Sequence, residues 1–348
     1  MKLFRKSDKP LTQEEITHWL RDLRGHPYNP SSHFDVTGVF RVKYNGDDSY
    51  YFAGVNVENE EHRLGTHAEE GCIAAMVTAF GKDAEIVEGW IMGAPDHLKP
   101  GDTAPLANNK VTCCGKCRQQ NIGFASSSAV IHSISLNGAH QQTTMGDSLP
   151  DHFSFRQFAP ELVNPSEKQP KPLAVEEIEA KLIRKGKALS DPEILEWLHN
   201  LESVDYASQR GQAVVLKLAD NTYVAGVKIE DAAYVSINPI QCAMAIANVA
   251  CDKIAVESVW TLSNKRKAQK DQALTQFHEY QFNKNPKPLT LSAVQVLAEF
   301  AAHDQIPIHM FTRAGHKQTI SMRDSAHMIP VLSRKKMDDK YKQRLAKI

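Results

Sequence analysis

Apolar residues Ile16, Trp19, Leu20 and Leu23 fall on one stripe of a 3.6-residue period, and Thr12 with Glu15 has the form of a capping box just ahead of them. A helix is therefore predicted from about Thr12, ending at Gly25. The pattern then shifts to strands over roughly Val36 to Tyr44 and Tyr50 to Val57, joined at Asn45-Gly46, a pair suited to a two-residue hairpin turn. His67 to Phe80 reads as a second helix with Ile73, Met76, Val77 and Phe80 inward and Gly81 as its stop. Ile86 to Met92 is a buried strand, the proline-rich stretch 94–109 a loop, Arg118 to Ser126 a short helix, and Val130 to Leu136 a strand closed by Asn137-Gly138. Strand–strand–helix–strand–helix–strand predicts an α/β layered domain.

The pattern recurs. Leu189 to Leu198 echoes Leu11 to Leu20, and Tyr223-Val224-Ala225-Gly226-Val227 echoes Tyr51-Phe52-Ala53-Gly54-Val55. A two-copy repeat of this length is a duplicated domain, not a solenoid. The expected plan is a first domain over 1–160, a linker over 161–186 marked by proline and charge, a second domain over 187–333 and a basic tail over 334–348. Carried forward at constant spacing, His67 falls on Pro239 and Glu69 on Gln241, and no cysteine follows Cys251. The second copy is thus expected to keep the core and lack the chemistry.

Composition narrows the partners. The 348 residues balance 41 Lys+Arg against 41 Asp+Glu, so no net charge draws the chain toward polyanions, and the basic run from Arg334 to Lys347 reads as a solvated end. Nucleic acid is not expected as a partner. No apolar run reaches the length of a membrane span, and Met1 to Lys6 is not followed by a signal-peptide core. The six cysteines are unevenly spaced and three crowd at 113, 114 and 117, which points to metal chemistry in a reducing compartment, with the cytoplasm as the expected location.

The candidate chemistry lies in Thr66-His67-Ala68-Glu69 and Thr112-Cys113-Cys114-Gly115-Lys116-Cys117-Arg118-Gln119. A catalytic zinc site takes three protein ligands and leaves one position open. His67, Cys114 and Cys117 supply one imidazole and two thiolates, and Glu69 remains as a carboxylate that could move protons. Both groups of ligands are expected at helix N-termini, where the dipole favours thiolate. A closed structural site with Cys113 as fourth ligand is the competing reading, and it requires adjacent Cys113 and Cys114 to face one ion. His33, His62 and His97 are expected at the surface without a metal role.

Asn56-Val57-Glu58-Asn59, then His67-Ala68-Glu69, then Cys114-Gly115-Lys116-Cys117-Arg118-Gln119, resembles the cytidine deaminase family, whose zinc motif has this His-x-Glu and Cys-x-x-Cys form. Ser32-His33-Phe34-Asp35-Val36 and Leu149-Pro150-Asp151-His152-Phe153 resemble the flanks of the same core, so the likeness spans about residues 26–155. Cys113 departs from the family's usual proline. The metal-free second copy resembles the family's dimeric branch, in which one chain carries a working and a degenerate core. The resemblance implies two three-layer domains, each a mixed β-sheet flanked by helices, one Zn²⁺ per chain and a homodimer. It implies hydrolytic deamination of cytidine and deoxycytidine in pyrimidine salvage. Phe34 would pack on the pyrimidine, Asn56 and Glu58 would hold the ribose hydroxyls, and backbone groups of Thr66, Ala68 and Cys114 would read the base. Arg118 is expected beside a site carboxylate or thiolate. The rival readings are deamination of a modified aminopyrimidine nucleoside or of cytosine in a polynucleotide, and a zinc-stabilised binding module without catalysis.

Overall fold

The computed structural model describes residues 2–163, 172–202, 212–262, 286 and 289–326. The first sheet contains β1 (Phe4–Lys6), β2 (Phe34–Tyr44), β3 (Asp47–Val55), β4 (Glu85–Pro95), β5 (Ala125–Ile134) and β6 (His140–Thr144), in the order β1-β3-β2-β4-β5-β6. The second contains β7 (Ile183–Arg184), β8 (Ala213–Leu218), β9 (Tyr223–Val227), β10 (Val256–Leu262), β11 (Pro307–Phe311) and β12 (Lys317–Ser321), in the order β7-β9-β8-β10-β11-β12. In each sheet the fourth and fifth strands pair in parallel, β4 with β5 and β10 with β11, and the other neighbours are antiparallel. The sheets therefore share one topology, a mixed sheet flanked by helices. The longer helices are α1 (Gln13–Asp22), α2 (Ala68–Phe80), α3 (Gly115–Phe124), α4 (Val175–Leu182), α5 (Asp191–Glu202), α6 (Pro239–Ala250) and α7 (Leu291–Ala298).

The repeat extends to individual bonds. Thr12 and Glu15 close a capping box on α1, and Ser190 N–H donates to Glu193 at the head of α5. Leu11 N–H donates to the Tyr51 hydroxyl at 3.0 Å, and Leu189 N–H to the Tyr223 hydroxyl at 3.2 Å. Arg5 lies 4.0 Å over the Trp19 ring and Arg184 4.2 Å over that of Trp197, a cation–π contact made twice.

Strands β1, β6 and β7 are among those that go beyond the expected elements. They are short and carry no alternation of apolar and polar positions; they exist because β3, β5 and β9 offer them unpaired backbone groups. The stretch expected as linker contributes α4 and β7, whose Ile178, Leu182 and Ile183 are buried, and Lys181 Nζ crosses to Ala79 O at 2.9 Å. Residues 164–171 of that stretch and the basic tail lie outside the described residues.

Helices α2 and α6 hold the halves together. Every residue from Ala68 to Phe80 is buried, as are Pro239 to Val249 in α6. A helix apolar on all sides needs neighbours on all sides. α2 packs on β3 and β2, α6 on β9 and β8, and the two helices pack on each other, with Thr78 Oγ1 3.3 Å from Cys242 Sγ. One hydrophobic cluster consequently runs through both halves.

The approach of α2 to β3 is closest at Gly54. A Cβ there would stand 2.1 Å from Ala68 O and 2.5 Å from Cys72 N. At Gly226 a Cβ would stand 2.4 Å from Pro239 O and 2.5 Å from Ala243 N. These contacts pair Ala68 with Pro239 and Cys72 with Ala243, and the N-caps agree, His67 on α2 and Asn238 on α6. The constant-spacing register was therefore off by one. His67 corresponds to Asn238, Glu69 to Ile240 and Glu70 to Gln241, because the loop before α6 is one residue shorter than the loop before α2. The N-cap of α7 is Thr290 where that of α3 is Cys114, which sets Ala293 opposite Cys117.

No helix among the described residues is long and apolar enough to cross a membrane. Gly54→Ala and Gly226→Ala should each lower stability in urea unfolding by roughly 3 kcal/mol, since the new methyl meets backbone that cannot yield. Gly115→Ala, whose Cβ would meet nothing within 4 Å, is the control. Equal midpoints for Gly54→Ala and Gly115→Ala would show that α2 is not pinned to β3 at this point.

Candidate metal centre

Two helix N-termini converge on one point. His67 is the N-cap of α2, Cys114 the N-cap of α3, and Cys117 lies in the first turn of α3. His67 Nδ1 stands 3.4 Å from Cys114 Sγ and 3.2 Å from Cys117 Sγ, and the sulfurs are 3.6 Å apart. A tetrahedral Zn²⁺ with bonds of about 2.3 Å to sulfur and 2.0–2.1 Å to nitrogen sets its ligands about 3.5–3.8 Å apart, so these donors fit the ion closely. Among the described residues this is the one His/Cys/Asp/Glu group with such spacing. Cys113 lies outside it, and the group therefore offers three protein donors, as an open site does.

The protons follow the geometry. Cys114 is held down to about 3 by hydrogen bonds from Cys117 and then from His67. Cys117 is pushed up by its hydrogen bond to Cys114 and by burial, and His67 is raised chiefly by its bond to Cys114. Burial raises Glu69, whose carboxyl is 4% exposed and lies in hydrogen-bonding reach of the Cys113 and Cys117 thiols. Burial also pushes Cys113 up, with Glu69 adding to the shift, and Asn121 Nδ2 reaches its sulfur at 3.8 Å. Cys113 is thus a protonated thiol packed beside Glu69.

Glu70, unremarked in the sequence, ties the pieces together. Its carboxylate accepts the His67 N–H at 2.8 Å and pairs with Lys116 Nζ at 2.9 Å. Lys116 stands between the two cysteines and also donates to Gly65 O at 3.2 Å. A cation in the first turn of a helix opposes the helix dipole, so the buried carboxylate is what makes its position favourable. Arg118 differs from expectation. It donates to the backbone carbonyls of Cys113 and Ser148, at 2.8 and 3.2 Å, because its guanidinium reaches back across the turn and not toward the carboxylate or thiolates.

Of the remaining expected residues, Phe34 opens β2, Asn56, Glu58 and Thr66 lie between β3 and α2, and Ala68 begins α2. Asn56 accepts from Val36 N at 2.7 Å and donates to Phe34 O at 3.0 Å, pinning the start of β2. Glu58 Oε2 accepts the N–H groups of Ser31 and Ser32. Thr66 exchanges both backbone hydrogen bonds with Val57, so its N–H is not available to a ligand. Ala68 N–H, in the first turn of α2, has no partner within the helix. The Phe34 ring lies against Gly93, next to Val111 on the approach to the cysteine turn. One exposed aromatic escaped the sequence pattern altogether. Tyr234 is 94% exposed with φ +64, a left-handed conformation rare outside glycine, on the loop where Asp231 and Val235 O accept from Gln119 and Gln120 of α3.

No family model matches the chain. A cytidine deaminase of Mycoplasma pneumoniae is 29% identical over 138 residues, which cover 40% of this chain and 91% of that protein. Part of this chain is homologous to cytidine deaminases. Among solved structures, a cytidine deaminase from Burkholderia pseudomallei is 24% identical over 41% of this chain and all of its own, with a TM-score of 0.33. One from Mycobacterium leprae is 23% identical over 41% of this chain and all of its own, with a TM-score of 0.31.

A carboxyl whose pKa is raised on folding binds its proton more tightly in the folded chain. Its contribution is favourable at low pH and is lost as pH rises through the ordinary carboxylate range to the folded value. Metal-free Glu69→Gln should therefore be more stable than metal-free wild type at pH 7, with the gap closing as pH falls into the ordinary carboxylate range. Urea unfolding across that range checks it, and a gap that widens on acidification would reverse the assignment.

Proposed function

We propose that this chain is a zinc-dependent hydrolase of free pyrimidine nucleosides, converting cytidine and deoxycytidine with water to uridine and deoxyuridine plus ammonia. The observation that carries the reading is the three-donor group His67, Cys114 and Cys117 with the buried carboxyl of Glu69 beside it. The homology to cytidine deaminases supports the reaction class. When bound, Zn²⁺ brings the pKa of a coordinated water toward neutrality.

The chain's own residues do the rest. Glu69, as the carboxylate, takes a proton from the attacking water, its buried setting favours holding that proton until it passes to the ring nitrogen, and it then moves the second water proton to the leaving amine. Ala68 N–H presents an orphan donor to the base, and Asn56 and Glu58 retain acceptor capacity for the ribose hydroxyls beyond the backbone bonds they make. Phe34 supplies an aromatic face for the pyrimidine. A clamp on free ribose hydroxyls, in a chain whose 41 Lys+Arg are matched by 41 Asp+Glu, favours a nucleoside over a polynucleotide.

The second core is read as non-catalytic. Its residues at the ligand positions are Asn238, Thr290 and Ala293, and at the Glu69 position Ile240, which cannot carry a proton. The chain is read as a homodimer: Phe153 and Phe158 stack at 5.0 Å while more than half exposed, an apolar pair that a second copy could cover.

Glu69→Ala should keep about one zinc per chain by metal analysis while kcat for cytidine falls by roughly a thousandfold. Zinc-loaded wild type that turns over no aminopyrimidine nucleoside would overturn the proposal. Sedimentation should give twice the chain mass at micromolar concentration, and Phe153→Ser with Phe158→Ser should shift it toward the single chain.

A further inference from the structure

Residues 64–66, which lead into His67, are held from two sides. On one side Lys116, paired with Glu70, donates to Gly65 O. On the other, Gln241 Nε2 of the second core donates to Leu64 O at 2.8 Å. Gln241 occupies in α6 the place that Glu70 occupies in α2. Its Oε1 does the same capping work, accepting from Asn238 N at 3.0 Å and Asn238 Nδ2 at 2.7 Å. A glutamate would serve that cap equally well. The amide adds a donor, and that donor is the group that crosses to the other core. It does so with the side chain 6% exposed, where water offers the Leu64 carbonyl little substitute.

The second core also grips the other ligand-bearing element. Gln119 and Gln120, the second and third residues after Cys117, donate to Asp231 Oδ2 and Val235 O on the loop that precedes α6. The approach to α2 and the body of α3 are therefore both fastened to one short stretch, residues 231–241. A site built from two helix N-termini must fix the distance between them, and here a single external frame touches both.

We propose that Gln241 is a positioning residue for the metal centre of the first core, acting with Lys116–Glu70 to hold residues 64–66 so that His67 Nδ1 keeps its spacing from the two sulfurs. The inference rests on the zinc-site reading given above. It gives the second core a task its own lost ligand set does not: it is the frame against which the first core's ligands are aligned. Partners that orient ligands from outside typically change metal affinity 10–100-fold when removed.

The test is zinc release from the full chain to a chromophoric chelator, at 25 °C, with Tm recorded on the same samples. Gln241→Glu keeps the capping acceptor and removes the donor; Gln241→Met removes the donor without adding charge. Both should release Zn²⁺ about tenfold faster than wild type. The Co²⁺-loaded proteins should show a shifted ligand-field spectrum. Trp197→Phe, on α5 and bonded to Lys181 O and not to residues 64–66 or the first turn of α2, serves as a destabilised control and should leave both readouts unchanged. Release within twofold of wild type for both Gln241 variants, from a wild type that holds zinc, would overturn the inference and leave the zinc site standing. So would release that merely tracks Tm across the whole set. Wild type that takes up no zinc would overturn both.

Discussion

The contact on which the rest depends is the seating of α2 on β3 at Gly54. A carbonyl of the helix occupies the space a side chain would fill, so depth, rotation and register of α2 are fixed at one residue. The first turn of that helix carries His67 and Glu69, and its placement decides where they point. α3 arrives by a separate route, through the crossover between the parallel strands β4 and β5. Both helices start where the chain leaves the carboxyl end of a strand, β3 for α2 and β4 for α3. In open α/β sheets ligands gather outside that edge, because helix N-termini and their unpaired N–H groups are delivered there.

The same helix explains why the two halves are inseparable. α2 has no polar face. One side is spent on its own sheet, and the other would be bare without α6. Thr78, in the last turn of α2, and Cys242, in the first turn of α6, are in contact and small enough to let the backbones approach, the Cys242 sulfur lying 3.6 Å from Ala74 O. The second half is thus a structural necessity for the first, apart from anything it does at the metal centre.

Much of this was legible in the chain because it is written in local chemistry. The hairpin at Asn45-Gly46 was, since both residues must take positive φ and both do. So was α2, with Gly81 ending it, and so was the convergence of His67, Cys114 and Cys117, whose donor atoms the fold brings together. What escaped is set by partners distant in sequence. β1, β6 and β7 exist by pairing at sheet edges, and their own residues carry no pattern. The one-residue slip between the copies sits in a loop, where spacing is free to change while the Gly54 and Gly226 contacts hold. Glu70 with Lys116 spans 46 positions and Gln241 with Leu64 spans 177. No periodicity reports such pairs, although a lysine between two cysteines and a second glutamate after Glu69 carry complementary charge. Arg118 was misplaced for the opposite reason: a cation near thiolates suggests an ion pair, and two backbone carbonyls lay nearer.

In this protein His67 and Cys114, two of the three candidate metal donors, are both helix N-caps, and Asn238 and Thr290 at the matching positions of the second half are N-caps too. An N-cap needs only a residue that leaves the helical conformation and gives the first turn a tolerable end, a requirement met by many side chains. Folding therefore does not inspect what chemistry those positions hold. A duplicated chain can let one copy's reactive groups drift while its architecture is inherited intact, and the drifted copy remains a sound building material. The candidate donors thus stand at helix ends, where the two halves keep the same architecture with different side chains.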